Sequence, residues 1–170
     1  MDIHVDSTGF LSWTDAENIG HRVRCAFGRG GIGEKSGEGD GITPLGQYPL
    51  RAVMVRADRV AMPHTDLPVS KIRQNDGWCD DPASPNYNTR ITLPHSASHE
   101  ELWRDDGLYD VVVEVGYNDD PVKAERGSAI FMHVARPGYE PTEGCVALAI
   151  DDLLRLLRSC NSVTRLSVNP

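Results

Sequence analysis

Short apolar runs, alternating with polar residues or cut off by turn residues, constrain this chain more than any other feature. "DIHVD" and "GFLSW" read as a first hairpin, with residues 7–9 as its turn. "HRVRCAF" alternates as a half-buried strand does. "YPLRAVMVRA" is a further strand, "LYDVVVEVGYN" and "SAIFMHVA" are the most apolar and are expected centrally, and "VTRLSV" closes the chain. Residues 74–89, rich in Asp, Asn and Pro, are expected to form a long loop. Helical spacing is confined to two places. "SASHEELWRDD" reads as a short helix with Ser at its start. In "VALAIDDLLRLLRSC", Leu153, Leu154, Leu156 and Leu157 share a face, and Asp151 or Asp152 can cap the first turn. With no internal repeat and no linker, residues 1–170 are expected to be a single domain, mainly β and antiparallel, with one or two short helices.

The formal charge of -8 argues against a nucleic-acid partner, whose phosphates need a basic face. Positive charge is carried by fourteen Arg and three Lys. Arg offers a planar fork that grips carboxylates at two points, so some of these residues could hold an acidic ligand; a coding bias toward Arg explains the same count. No apolar run reaches the ~20 residues of a membrane span. The opening "MDIHVDSTGF" lacks the basic start and apolar middle of a secretory signal, so the expectation is a cytoplasmic chain or one whose export signal has been trimmed. None of Cys25, Cys79, Cys145 and Cys160 forms a CxxC pair, and no His/Cys spacing fits zinc, so no metal is expected. If Cys145 is reactive, at most one disulfide is possible among the other three.

Gly28, Gly30 and Gly33 satisfy G-x-G-x-x-G, and with Lys35 and Ser36 they come one residue short of a phosphate-binding loop. Both motifs need a helix to follow, because the helix N-terminus holds the phosphate. "GEGDGITPLG" cannot be helical, and Glu34, Glu38 and Asp40 would repel an anion. A mobile surface loop is expected instead.

"HVARPGYEPTEGCVAL" is the stretch with chemical content. Most buried cysteines and lone histidines only pack or satisfy local hydrogen bonds. Cys145 differs in three ways. Gly144 before it permits a positive-φ backbone that would leave the sulfur exposed. Cys145 sits where a loop enters a strand. Twelve residues earlier, His133 ends an apolar strand, a rigid base for an imidazole. These suit nucleophilic catalysis, with a thiol activated by a neighbouring imidazole and the amides of Gly144 and Cys145 facing the oxyanion.

The same stretch resembles the His…[Ser/Thr]-His-Gly-Cys signature of the YkuD-type L,D-transpeptidases, and "GDGITPLGQYPL" resembles that family's Thr-Pro-x-Gly segment. The similarity covers about residues 20–168. It implies a YkuD-like antiparallel β-sandwich and a cysteine enzyme that opens an L–D bond of a peptidoglycan stem peptide through a thioester. The acyl group then passes to a diaminopimelate amine, giving first-to-third or third-to-third cross-links. Cys145 would be the nucleophile, His133 the base that keeps the thiol ionised, and Gly144 with Cys145 the oxyanion donors. Thr142 matches the Ser/Thr of the signature and would brace the loop.

Two positions depart from the pattern. Glu143 replaces the family's histidine, where it could orient His133 or meet the substrate amine. Ala147 replaces an Arg that commonly contacts a substrate carboxylate, and Arg126 or Arg136 could substitute for it. Trp78 and Tyr87 could stack on the stem or glycan, and Asp80, Asp81 and Asn88 could meet the acceptor amine. The resemblance implies no cofactor and a monomer acting on donor and acceptor stems, open to acylation by carbapenems. It places the protein in the periplasm or cell envelope. Transfer of the thioester to water, giving an endopeptidase or carboxypeptidase, and an inactive wall-binding module stay open at this point.

Overall fold

A computed structural model describes residues 1–170. In chain order its strands are β1 Asp2–Val5, β2 Phe10–Thr14, β3 Gly20–Ala26, β4 Ile32–Gly33, β5 Thr43–Pro44, β6 Gly46–Val55, β7 Val69–Lys71, β8 Asp76–Cys79, β9 Arg90–Thr92, β10 His99–Glu101, β11 Val111–Val115, β12 Phe131–Val134, β13 Val146–Leu148 and β14 Arg165–Val168. One α-helix, α1, spans Ile150–Leu157, and a 3₁₀ turn covers Ala124–Arg126. No helix is long and apolar enough to cross a membrane.

The main sheet runs β11-β12-β13-β3-β2-β1-β14-β6-β7, and β6 pairs back onto β11. The long β6 makes this closure. Its residues Gly46–Pro49 pair with β14, and Leu50 to Val55 pair with β11. The result is a barrel-like closed sheet with β7 added outside the ring, where a two-layered sandwich was expected. Most pairings are antiparallel, but β1–β14, β4–β5, β6–β7 and β12–β13 are parallel.

Alternation along the strands sends one set of side chains inward. Ile3, Val5, Leu11, Val53, Val55, Val111, Val113, Met132, Val146, Leu148 and Leu166 form the principal core. Leu153, Leu156 and Leu157 of α1 join it, each contributing about 1.5–3 kcal/mol by burial. β11 is buried on both faces, as its β-branched run suits. Val112 faces away from Val111 and Val113 into a second cluster with Met54, Ile72, Trp78, Leu102, Leu108, Tyr109, Phe131 and Cys145. That second cluster floors the site described below.

Three expectations about local structure are corrected. Within residues 74–89, Asp76–Cys79 is a fully buried strand, the middle one of a three-stranded sheet β10-β8-β9. Its Gly-Trp-Cys run packs inward, so the loop composition applies only to residues 74–75 and 80–89 on either side of it. The helix expected over 96–106 is instead β10, because His99, Glu100 and Glu101 pair with Cys79, Trp78 and Gly77. Cross-strand pairing overrides the modest helix propensity of so short a segment. The N-cap of α1 is Ala149, with no side-chain cap; Asp151 and Asp152 lie within its first turn and face the positive end of the helix dipole.

The glycine-rich segment is tied down rather than free. Lys35 Nζ donates to Asp40 Oδ1 at 2.5 Å and to the Ile42 carbonyl at 3.3 Å, with both charged side chains buried. A Cβ on Gly28 would lie 2.1 Å from the Gly41 carbonyl oxygen, so glycine is needed where the two arms of the loop touch. Gly28 also bridges to Thr142, directly beneath the stretch that carries Cys145.

Candidate active site

The parallel pairing of β12 with β13 builds the site. His133 lies opposite Ala147, and Met132 lies opposite Val146. Since Met132, Val146 and Leu148 enter the principal core, Phe131 and His133 point to the other side of the sheet. Cys145, two residues before Ala147, falls on that same side and packs with Phe131. Histidine and cysteine are thereby presented from adjacent strands into one cavity of about 620 Å³.

Cys145 Sγ donates to the Ala129 carbonyl at 3.3 Å and accepts the Phe131 N–H at 3.4 Å. The sulfur is therefore held inside rather than exposed, and the residue is only 8% accessible. Burial, aided by the Glu100 charge, pushes the thiol up to about 12. His133 is buried as well, and desolvation pulls its imidazole down to about 4. His133 Nδ1 lies 2.9 Å from the Val134 carbonyl; a carbonyl only accepts, so Nδ1 carries the proton and Nε2 is free to accept one. The ring stands edge-on to Tyr109, with centroids 5.4 Å apart. Neither hydrogen bond of the sulfur goes to His133, so the resting pair is neutral thiol and neutral imidazole, where an ionised thiol was expected.

The turn before Cys145 is held by hydroxyls. Gly144 has φ +136, and a Cβ there would meet the Ile42 carbonyl oxygen at 2.8 Å, so only glycine fits. Thr43 Oγ1 donates to the Gly144 carbonyl at 2.8 Å and accepts the Gly28 N–H at 2.8 Å. Thr142 Oγ1 donates to the Cys145 carbonyl at 2.6 Å and accepts the Gly144 N–H at 3.1 Å. Thr142 thus braces the loop by hydrogen bonding. The Gly144 amide is thereby engaged, and of the two expected oxyanion donors only the Cys145 N–H lacks a protein acceptor.

The cavity also receives Thr142, Glu143 and Arg136. Glu143 is not aimed at His133; both its oxygens are held by Arg29 Nε, at 2.9 and 3.1 Å, in an exposed pair. Trp78, Tyr87 and Arg126 do not line the cavity. Trp78 is buried, its Nε1–H donating to Asn88 Oδ1 at 3.0 Å and its ring standing edge-on to Phe131, so it anchors its segment to the second core. Tyr87 donates to Glu38 and ties that segment to the glycine-rich loop. Arg126 is exposed on the 3₁₀ turn, its carbonyl accepting the Tyr117 hydroxyl. Of the acidic residues that followed Trp78, Asp80 lines the cavity and Asp81 does not.

Several lining residues carried no signal in the sequence. Arg104 lies beside Tyr109 and pairs with Asp106, and both charges act on His133 together with Arg136. Glu100 accepts the Tyr109 hydroxyl at 2.8 Å. Lys35, Glu38 and Gly39 bring in the glycine-rich loop as a wall. Glu100 and Arg104 fall within the segment expected to be a short helix, which gave no reason to place them at the site. No group of three or more His, Cys, Asp or Glu is arranged to hold a metal ion.

Comparison with known proteins agrees with this architecture. The family model for YkuD, the L,D-transpeptidase catalytic domain, matches residues 1–168. Among solved structures, the helical cell shape determining protein Pgp2 from Campylobacter jejuni superposes with a TM-score of 0.51 at 14% identity. The match covers 99% of this chain and 46% of Pgp2, so the chain spans under half of that protein's length. A single-residue mutant of Pgp2 matches with the same values. No curated protein sequence matches the chain. At such identity the likeness to Pgp2 speaks for the fold, and the family match spans nearly every residue; the chain belongs to the YkuD family of L,D-transpeptidase catalytic domains.

Proposed function

We propose that the chain is a catalytic domain that cross-links peptidoglycan, with Cys145 as nucleophile and His133 as its general base. One observation carries the reading: thiol and imidazole enter the same cavity from adjacent parallel strands, beside an amide with no protein acceptor. A stem peptide in the cavity brings the carbonyl of an L–D bond to Sγ. As sulfur attacks, His133 Nε2 takes the thiol proton, and the Cys145 N–H receives the oxyanion. Loss of such a donor typically costs ~10²–10³ in rate. The imidazolium returns its proton to the departing amine, leaving a thioester that a diaminopimelate amine then opens.

A neutral resting pair suits this sequence. The thiol is kept out of side reactions until the substrate carbonyl arrives, and a base pulled down to about 4 stays unprotonated at neutral pH. Arg136 and Arg104, both lining the cavity, supply the carboxylate contact that Ala147 cannot. Thr142 acts by holding the Cys145 turn, and Glu143 by fixing the loop through Arg29. Residues 1–170 act as one domain on wall in the periplasm or cell envelope, as the cell-shape role in the name of Pgp2 suits.

Muropeptide mass spectrometry tests the proposal. Sacculi treated with the wild-type protein should gain dimers absent after treatment with Cys145→Ala or His133→Ala, both of which should keep the wild-type circular dichroism. Fragmentation would assign a first-to-third or third-to-third link. Shortened stems without dimers would make the thioester's acceptor water, and an active Cys145→Ala protein would sink the mechanism.

A further inference from the structure

One wall of the cavity holds acceptors that the protein leaves unsatisfied. Asp80 Oδ1 and Ser128 Oγ are buried without a hydrogen-bond partner, and both residues line the cavity. Ser128 is 6% exposed, and the neighbouring Tyr87 hydroxyl is donated to Glu38 rather than to it. Glu100 stands on β10 beside β8, whose end leads to Asp80, and the Asp80 amide donates to the Ser98 carbonyl at 3.2 Å, which joins the two segments. Glu38 adds a third carboxylate to the same cavity. Lys35 does not neutralise them, because its ammonium is taken by Asp40 and the Ile42 carbonyl.

A buried acceptor without a donor has lost its water and gained nothing in exchange, so this wall favours a ligand that brings donors. Carboxylates accept only, and a second anion would be repelled. A primary ammonium supplies three donors and a compensating charge. A metal ion is disfavoured, since the carboxylates do not converge into a set that could hold one.

We propose that Asp80, Ser128 and Glu100 form a subsite for the primary ammonium of the acyl acceptor, an inference that rests on the transpeptidase reading above. The acceptor arrives as an ammonium with three N–H bonds. One proton passes to a wall carboxylate, which frees the nitrogen lone pair. Burial holds the Glu100 carboxyl above its usual range, which suits it to take that proton. The amine forms the N–C bond at the thioester carbonyl, the C–S bond breaks, and a second proton travels through His133 Nε2 to the departing sulfur. The new amide keeps one N–H, Cys145 returns as a thiol, and the carboxylate releases its proton to solvent.

Calorimetry on the Cys145→Ala protein isolates binding from chemistry. Two probes are titrated: meso-diaminopimelate, and pimelate, which has the same chain and carboxylates without the amines. Diaminopimelate should bind at least about tenfold more tightly than pimelate, and Asp80→Asn or Glu100→Gln should remove about tenfold of that affinity. Ser128→Ala, which deletes a hydroxyl without a hydrogen-bond partner in the protein, should act in the same direction without disturbing the fold. Equal affinity for the two probes, no binding of either, or unchanged affinity in Asp80→Asn would overturn the subsite. With Cys145 intact, Asp80→Asn and Ser128→Ala should raise the diaminopimelate concentration needed for half-maximal transfer while leaving thioester formation unchanged; slowed thioester formation alone in these two variants would also overturn it. Failure of the wild type to form a thioester, with diaminopimelate still bound through Asp80, would instead remove the transpeptidase reading and leave the subsite standing.

Discussion

Replacing Thr43 by Val asks whether one hydroxyl holds the turn that presents Cys145. Thr43 is 1% exposed, and its Oγ1 bridges the Gly28 N–H and the Gly144 carbonyl, each at 2.8 Å. Valine keeps the shape of the side chain and removes both bonds. The two backbone groups cannot easily find new partners, because Gly28 is pressed against Gly41 and Gly144 against Ile42. Each buried group left unsatisfied costs about 1–3 kcal/mol, so the pair amounts to roughly 2–6 kcal/mol. Urea denaturation should show a loss near the middle of that range with an unchanged m-value, since the surface exposed on unfolding is the same. Freed of this tie, Gly144 also lets the Cys145 amide drift, and thioester formation should slow by about 10²-fold. Thr43→Ser, which retains the hydroxyl and gives up one methyl at about 0.8 kcal/mol, should recover the rate. A Thr43→Val protein within about 0.5 kcal/mol of wild type and equally fast would refute the reasoning.

The remaining predictions concern the protonation of the pair. With its thiol pushed from 9.0 to about 12, Cys145 holds about a thousandfold less thiolate at neutral pH than an ordinary cysteine. Its alkylation by iodoacetamide, followed by mass spectrometry, should be correspondingly slower than that of a small thiol; equal rates would contradict a neutral resting thiol. His133 is lowered from 6.5 to about 4, so the unfolded chain binds its proton first as pH falls. Its contribution to stability is therefore complete above about pH 6.5 and lost by pH 4, about 3 kcal/mol in all. Denaturation series at stepped pH should show this slope in wild type and a flatter one in His133→Asn.

The sequence disclosed the pieces held by local pattern. The first hairpin, β6, β11, β12, β14 and the leucine face of α1 all follow from alternation or helical spacing. His133 and Cys145 could be paired because each sits at a strand end with a distinctive neighbour. The features that escaped depend on contacts remote in the chain. Trp78 and Tyr87 looked like substrate platforms, yet whether an aromatic ring faces a ligand or a core is decided by the groups that pack on it, here Phe131 for Trp78 and Glu38 for Tyr87. The glycine-rich loop looked mobile because its composition is polar; the buried Lys35–Asp40 pair and the contact of Gly28 with Gly41 depend on its fold-back. Thr43 lay within a quoted motif, but its bond to Gly144 joins residues 101 apart. Glu100 and Arg104 reach the cavity only because β10 is a strand.

The central claim is that Cys145 forms a covalent thioester with a stem peptide, and intact-protein mass spectrometry tests it most directly. Wild-type protein mixed with purified muropeptides and quenched in acid should carry an added acyl mass on the peptide containing Cys145. Neutral hydroxylamine should remove that mass, and Cys145→Ala should never acquire it. An unmodified Cys145 alongside altered muropeptides, or an adduct on Cys25, Cys79 or Cys160 instead, would contradict the account.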